Sequence, residues 1–240
     1  MIKLSPRLQI IYDMVSDCDV VCDVGCDHGY LSIALLQGKK AVKAIAMDIN
    51  KGPLEAAKTN VEAAHLASQV DFRLSDGLMK LDESEADVIC ICGMGGALIA
   101  RILAAGIDVV KKAKAVIIEP QSEYAAVRRF LVENDMLFLD EELCSEEGKI
   151  YPIIKFCYSR GNPTACSETD LEYGPVIIKK RPKLLMDLLE KKQSEYLAIM
   201  DRLNSISDKS GEKDSPIQLR KNEISKELEL ISNLRTRLEE

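Results

Sequence analysis

The chain of 240 residues predicts a doubly wound parallel α/β sheet followed by an antiparallel coiled-coil hairpin, and three observations carry that expectation. Short apolar runs alternate with helix-length segments through residue 134, the pattern of strands crossed over by helices. Two strand-like runs then follow each other with no room for a helix between them. Beyond residue 176 the apolar residues recur every seven positions.

Taken in order, Ser5-Pro6 reads as an N-cap and a first-turn proline that start a helix through Val15. Residues 20–24 form the first strand, 30–37 a helix, 41–47 the second strand and 53–64 a helix. The third strand covers 69–74 and leads to Ser75-Asp76-Gly77-Leu78. The fourth covers 86–91 and leads to Cys92-Gly93-Met94-Gly95-Gly96 and a helix to Ala105. The fifth covers 115–118 and leads to Glu119-Pro120-Gln121 and a helix over 125–134. Runs 137–144 and 150–158 are joined by the acidic linker 145–149, too short for a crossover helix, and so predict an antiparallel hairpin that closes the sheet. A polar stretch after Gly161-Asn162-Pro163 separates an expected catalytic domain, 1–160, from a helical region, 176–240. There Leu189, Tyr196 and Leu203, and Ile217, Ile224, Ile231 and Leu238, repeat at seven residues, with Leu185, Ile199, Ile206 and Leu228 filling alternate positions. The polar insert 207–216 lets the two helices fold back on each other.

Net charge is −7, distributed unevenly. Residues 176–240 hold 14 of the 32 Lys+Arg and 12 of the 39 Asp+Glu, so they carry +2 and the first 175 residues carry −9. The basic cluster Lys179-Lys180-Arg181-Pro182-Lys183 opens the C-terminal part, with smaller spots at Lys111-Lys112-Ala113-Lys114 and Arg128-Arg129. No apolar run approaches the roughly 20 residues of a membrane span, and the N-terminus lacks a signal-peptide core, so a soluble cytoplasmic protein without membrane contact is expected. Eight cysteines without a Cys-x-x-Cys pair and two histidines give no zinc pattern, so no metal is expected and the thiols should be reduced.

The most informative segment runs from Val20 to Ala34, where an apolar strand enters the turn Asp23-Val-Gly25-Cys-Asp27-His28-Gly29 and then a helix. Such a turn offers backbone N–H groups to a ligand, and its glycines allow close approach. Asp48 ends the next apolar run, where a carboxylate can accept both hydroxyls of a ribose. A dinucleotide site wants Gly-x-Gly-x-x-Gly, but here Asp27 stands where a middle glycine would be. Carboxylates at 23 and 27 repel a diphosphate and suit a ligand with a sulfonium and an ammonium, which is the charge pattern of S-adenosylmethionine.

A sheet of this kind closed by an antiparallel hairpin resembles the class I methyltransferase Rossmann-like fold. Leu4-Ser5-x-Arg7-Leu8, Asp23-Val-Gly-Cys-Asp-His28-Gly-Tyr-Leu, Asp76-Gly77-Leu78, Gly93-Met-Gly-Gly96 and the C-terminal heptads together resemble the TrmK family of bacterial tRNA (adenine-22-N1)-methyltransferases. The resemblance implies tRNA as partner and S-adenosyl-L-methionine as cofactor. Asp23 and Gly25, with Cys26 and Gly29, would then shape the turn under the methionine moiety, with Asp27 near its positive charges. Asp48 would take the ribose diol, Asp76 and Gly77 the adenine, and Gly93 and Met94 the remaining wall. Asp27 and His28 are the catalytic candidates, to stabilise the cationic product or take the N6 proton. The coiled-coil root, Lys179, Lys180, Arg181 and Lys183, together with Arg7, would grip the RNA, with Arg101 and Arg128-Arg129 as a second choice of surface.

Other readings stay open at this level. A small-molecule methyltransferase is the nearest rival, a NAD-dependent oxidoreductase is disfavoured by the missing glycine pattern, and a scaffold built on the coiled coil needs no cofactor at all. A monomer is favoured over a coiled-coil dimer.

Overall fold

The computed structural model describes residues 2–205 and 215–239; Ile206 and the insert at 207–214 lie outside them. The first helix, α1 (Pro6–Met14), starts where Ser5 Oγ accepts the Leu8 N–H at 3.4 Å, the N-cap the sequence signals. Its other end is closed by Lys40, whose ammonium donates to the carbonyls of Tyr12, Asp13 and Val15.

Strands and helices then alternate: β1 (Cys18–Val24), α2 (Tyr30–Gln37), β2 (Ala41–Asp48), α3 (Lys51–Ala63), β3 (Val70–Leu74), β4 (Val88–Met94), α4 (Gly96–Ala105), α5 (Ile107–Lys112), β5 (Ala115–Pro120), α6 (Tyr124–Glu133), β6 (Met136–Glu146) and β7 (Lys149–Tyr158). They build one seven-stranded sheet in the order β3-β2-β1-β4-β5-β7-β6. β1 to β5 pair in parallel, and β7 runs antiparallel to both β5 and β6. The hairpin expected from the short linker is present, with a tighter turn: only Glu147 and Gly148 separate the strands, both at positive φ (50° and 75°). The strand order reverses direction at β1 and β4, so a crevice opens beyond the carboxyl ends of these two strands.

Three local differences from the sequence reading matter. β4 runs past residue 91 to Met94, so the Gly-Met-Gly-Gly segment begins on the strand and only then turns into α4. A short α5 follows α4, capped by no residue with a strong signal. The stretch 161–174 contains α7 (Glu168–Tyr173), started by a capping box in which Ser167 and Asp170 bond each other's backbone N–H.

Apolar side chains cover both faces of the sheet. One face collects Cys22, Val24, Ile45, Met47, Ile89, Ile91 and Ile118 against α4 and α6, and the other Val21, Ala44, Val88, Cys90 and Ile117 against α1 and α2. Within this packing lies a buried ion pair. Arg128 on α6, 1% exposed, donates through Nε to Glu141 on β6 at 2.8 Å and through Nη1 to the carbonyls of Leu171 and Glu172. The other carboxylate oxygen of Glu141 accepts the Val176 N–H at 2.9 Å. Arg128 therefore ties the α7 segment to the sheet and is no part of an RNA surface.

The chain divides into two compact units, Met1–Val176 and Ile177–Glu240, with α8 (Pro175–Lys180) crossing the boundary. The second unit holds α9 (Lys183–Ser205) and α10 (Pro216–Glu239). Arg235 on α10 reaches Gln193 and Glu190 on α9, and Arg181 donates to the carbonyls of Arg237 and Leu238. The C-terminal end of α10 thus lies along the N-terminal end of α9. Leu185, Leu189, Ile224, Ile231 and Leu234 are buried there, while Leu228 is half-buried. Among the described residues no helix is long and apolar enough to cross a membrane, and no group of His, Cys, Asp and Glu is placed to hold a metal ion.

Candidate active site

Two cavities open beyond the carboxyl ends of β1 and β4, and they share Gly25, Cys92 and Gly93 as a common wall. The first, about 360 Å³, is lined by Ser5, Arg7 and Leu8 of the N-terminal segment, by Asp23 and Gly25 to His28 of the turn, and by Tyr30 and Glu119. The second, about 260 Å³, is lined by Asp48, Ile49, Asn50, Ser75, Asp76, Gly77, Met94, Leu98 and Arg101.

The turn after β1 is held by backbone hydrogen bonds, two of them to β2. The N–H groups of Gly25 and Cys26 both donate to Met47 O, at 2.8 and 3.0 Å, and the Gly29 N–H donates to Cys26 O at 2.7 Å. These three donors serve the turn itself, so they do not form the anion-type cradle that a strand-to-helix turn suggests in sequence. Gly25 instead provides room: at φ 74° a Cβ there would lie 2.3 Å from Met94 Cε, so the Met94 side chain rests directly on the Gly25 backbone. Gly29 borders neither cavity. It starts α2 at φ 70°, and a Cβ would press on Ala57 at 3.2 Å, so this glycine lets α2 pack close to α3.

The carboxylates divide into buried and exposed sets. Asp23, 6% exposed, lines the first cavity and accepts from Ser32 Oγ at 2.8 Å. Burial pushes its pKa up to about 6, the Ser32 hydroxyl and N–H pulling the other way and the Asp48 charge adding to the rise. A buried carboxylate in a cavity wall fits a ligand that brings a positive charge. Asp48, also buried, ends β2 and accepts the Asn50 N–H at 2.8 Å, with its carboxylate in the second cavity. Asp76 follows β3 and stands 3.4 Å from Arg101. Gly77 has φ 55° and sits under Ile102, whose side chain would meet an added Cβ at 2.9 Å. An acid at each of three strand ends, with glycines where backbone borders the cavity, fits the cationic, ribose and adenine parts of S-adenosylmethionine.

Asp27 and His28 stand together at the mouth of the first cavity. Asp27 is 70% exposed at φ 47°, and its Oδ1 lies 3.7 Å from His28 Nε2. The imidazole stacks on the Tyr30 ring with centroids 5.4 Å apart. Deeper in the same cavity is a network the sequence reading missed. Glu119, 2% exposed, accepts the Gly93 N–H at 2.7 Å and lies 3.4 Å from Arg7 Nη1. Arg7 also donates to Glu146, and its guanidinium lies 4.7 Å from the centre of the Tyr151 ring. This guanidinium is engaged in the cavity wall by those three groups. The available signal for Glu119 was the one that marked Asp48, an acid ending an apolar run.

Lys179, Lys180, Arg181 and Lys183 are all exposed, as a phosphate-binding cluster requires, and Arg181 is partly engaged at the end of α10. Arg129 pairs with Glu168, Lys114 with Asp87, and Lys111 lies over the Tyr158 ring, so these three cations of the smaller basic spots are engaged with neighbours.

The model of the family described as tRNA (adenine(22)-N(1))-methyltransferase, TrmK, matches residues 21–233. The chain belongs to the TrmK family. A Bacillus subtilis protein named tRNA (adenine(22)-N(1))-methyltransferase is 39% identical over 153 residues, 64% of each chain. That match therefore spans just under two thirds of the relative. Among solved structures, a Streptococcus pneumoniae protein in complex with S-adenosyl-L-methionine is 26% identical with a TM-score of 0.84, covering 97% of this chain and 99% of that one. TrmK of M. capricolum, in complex with S-adenosyl-homocysteine, is 30% identical with a TM-score of 0.77, covering 95% and 99%. The matched span, residues 21–233, includes both the segment Asp23–Gly29 and the segment Gly93–Gly96.

Proposed function

We propose that the protein is an S-adenosylmethionine-dependent methyltransferase acting on N1 of adenine 22 in tRNA. The family match across 21–233 carries this reading, and the paired cavities with their three strand-end carboxylates support it. S-adenosylmethionine, when bound, supplies an electrophilic methyl group. Asp48 would hold the ribose hydroxyls, Asp76 and Gly77 the adenine, and Asp23 the positively charged methionine end. Asp23 takes the part first given to Asp27 because it is the carboxylate inside the cavity; Asp27 lies at the mouth.

The acceptor enters from the side of α1 and the Asp27-His28 turn. Adenine N1 lies on the Watson–Crick edge, so the base must leave its stack before it can react. Its in-plane lone pair needs no proton removed first, and placing it correctly supplies most of the catalysis. Methylation leaves a cationic ring. The Asp27 carboxylate would favour that charge, and the His28 imidazole beside it would take the N6 proton. Exposed Lys179, Lys180 and Lys183 would meet phosphates of a folded RNA too large for the catalytic cavity alone.

The test is incubation of the purified protein with labelled S-adenosylmethionine and total tRNA, followed by nucleoside analysis. Label in N1-methyladenosine supports the reading; an unlabelled tRNA pool with label in a small acceptor would establish the small-molecule alternative.

A further inference from the structure

The ladder between β4 and β5 breaks at one place. Cys92 pairs with Glu119 and Met94 with Pro120, so Gly93 is left over as a bulge. Pro120 has no N–H to continue the ladder, and Gly93 adopts φ 75°, which carries its amide out of the sheet pattern. The Gly93 N–H is received instead by the side chain of Glu119 at 2.7 Å. A charge-assisted bond of that length is among the stronger contacts a backbone amide makes.

Glu119 is itself fixed. It is 2% exposed, Arg7 on α1 faces its other oxygen at 3.4 Å, and Arg7 is held in turn by Glu146 on β6 and the Tyr151 ring on β7. On the opposite side of the bulge, Met94 rests on the Gly25 backbone. The segment 92–94 is therefore clamped between a buried carboxylate and the cofactor turn. Its residues Cys92 and Gly93 belong to the wall the two cavities share.

We propose that Glu119 is a positioning residue for methyl transfer: it holds the Gly93 backbone in the wall that the two cavities share, and Arg7 holds Glu119. The proposal rests on the methyltransferase reading above. It explains why a carboxylate is buried deep in the first cavity. Displacing a wall between two reactants by about 1 Å costs on the order of 100-fold in rate, without requiring any loss of affinity for either.

Full-length wild type, Glu119→Ala and Glu119→Gln are compared by three measurements: single-turnover methylation of a tRNA transcript, binding of S-adenosylmethionine and of tRNA, and the amide proton resonance of Gly93 in labelled protein. Glu119→Ala is expected to slow the single-turnover rate by about 100-fold, to change both affinities little, and to move the Gly93 resonance upfield. Glu119→Gln keeps an oxygen acceptor, so it should recover most of the rate while the resonance still moves, because a neutral carbonyl is the weaker acceptor. A Glu119→Ala protein with the wild-type rate, or an unmoved Gly93 resonance in either variant, overturns the proposal. If Glu119→Ala does not fold, the Gly93 resonance of Glu119→Gln decides alone: a moved resonance supports the proposal and an unmoved one overturns it. A wild-type protein that methylates no tRNA refutes the functional reading instead; the Gly93 resonance then still shows whether Glu119 holds this backbone.

Discussion

Replacing Asp23 by Asn separates the cost of this carboxylate to the fold from its use to a ligand. In the folded protein its pKa is about 6, against 3.8 for the ordinary side chain, because burial penalises the charged form. The folded state thus binds a proton more tightly than the unfolded chain. Stability from this group falls as pH rises from about 3.8 to about 6, and the whole penalty is present above pH 6. A difference of about two pKa units corresponds to roughly 3 kcal/mol. Asp23→Asn keeps an oxygen for the Ser32 hydroxyl and removes the charge, so the ligand-free protein is expected to gain up to about 3 kcal/mol at pH 7.5. The gain should shrink towards zero near pH 4, where wild-type Asp23 is itself protonated. Denaturant unfolding at the two pH values measures it. The same charge should serve the cofactor, so wild-type affinity for S-adenosylmethionine is expected to rise roughly tenfold between pH 5 and pH 7, and Asp23→Asn should abolish that dependence. A variant destabilised equally at both pH values, with cofactor affinity still rising through pH 6, would refute the assignment of a strained, ligand-directed carboxylate.

Four further outcomes are expected. Asp27→Asn and His28→Gln should each lower turnover by roughly 100-fold or more with cofactor affinity unchanged, as single-turnover and titration data would reveal; wild-type rates in both would leave positioning as the whole mechanism. A chain ending at Val176 keeps the N–H that Glu141 receives and should fold and bind S-adenosylmethionine while losing tRNA affinity. In the full chain, neutralising Lys179, Lys180 and Lys183 should flatten the salt dependence of tRNA binding by up to about one unit of log–log slope per lost phosphate contact. A truncated chain that methylates tRNA as well as the intact one rules out that grip. Arg128→Met removes the guanidinium beside fully buried Glu141, so a stability loss of about 3–5 kcal/mol is expected in denaturant unfolding, and a loss below about 1 kcal/mol contradicts the structural role given to this pair.

Much of the catalytic unit was legible in the chain because its signals are local. Alternating apolar runs, the Ser5-Pro6 cap and the short linker before β7 each depend on neighbours a few residues away, and each produced the element it predicted. Asp23, Asp48 and Asp76 could be read as ligand groups for the same reason: each ends or follows an apolar run, and a parallel sheet aligns such ends on one edge.

Tertiary structure alone decided the roles that depend on which strands become neighbours. Glu119 differs from any other acid after a strand only because β5 lies beside a bulge in β4, where an amide needs an acceptor. Arg7 and Arg128 read as surface charge in sequence, yet partners more than 100 residues distant take Arg7 into a cavity wall, and Glu141 with the α7 carbonyls takes Arg128 into the core. Gly25 and Gly29 look alike within one turn, but Met94 covers the first and Ala57 the second, so one opens a cavity and the other seats a helix. A residue's type and local spacing fix what chemistry it can perform; the long-range pairing of strands fixes whether it faces solvent, a ligand or a buried partner, and that pairing is not written in any short stretch of sequence.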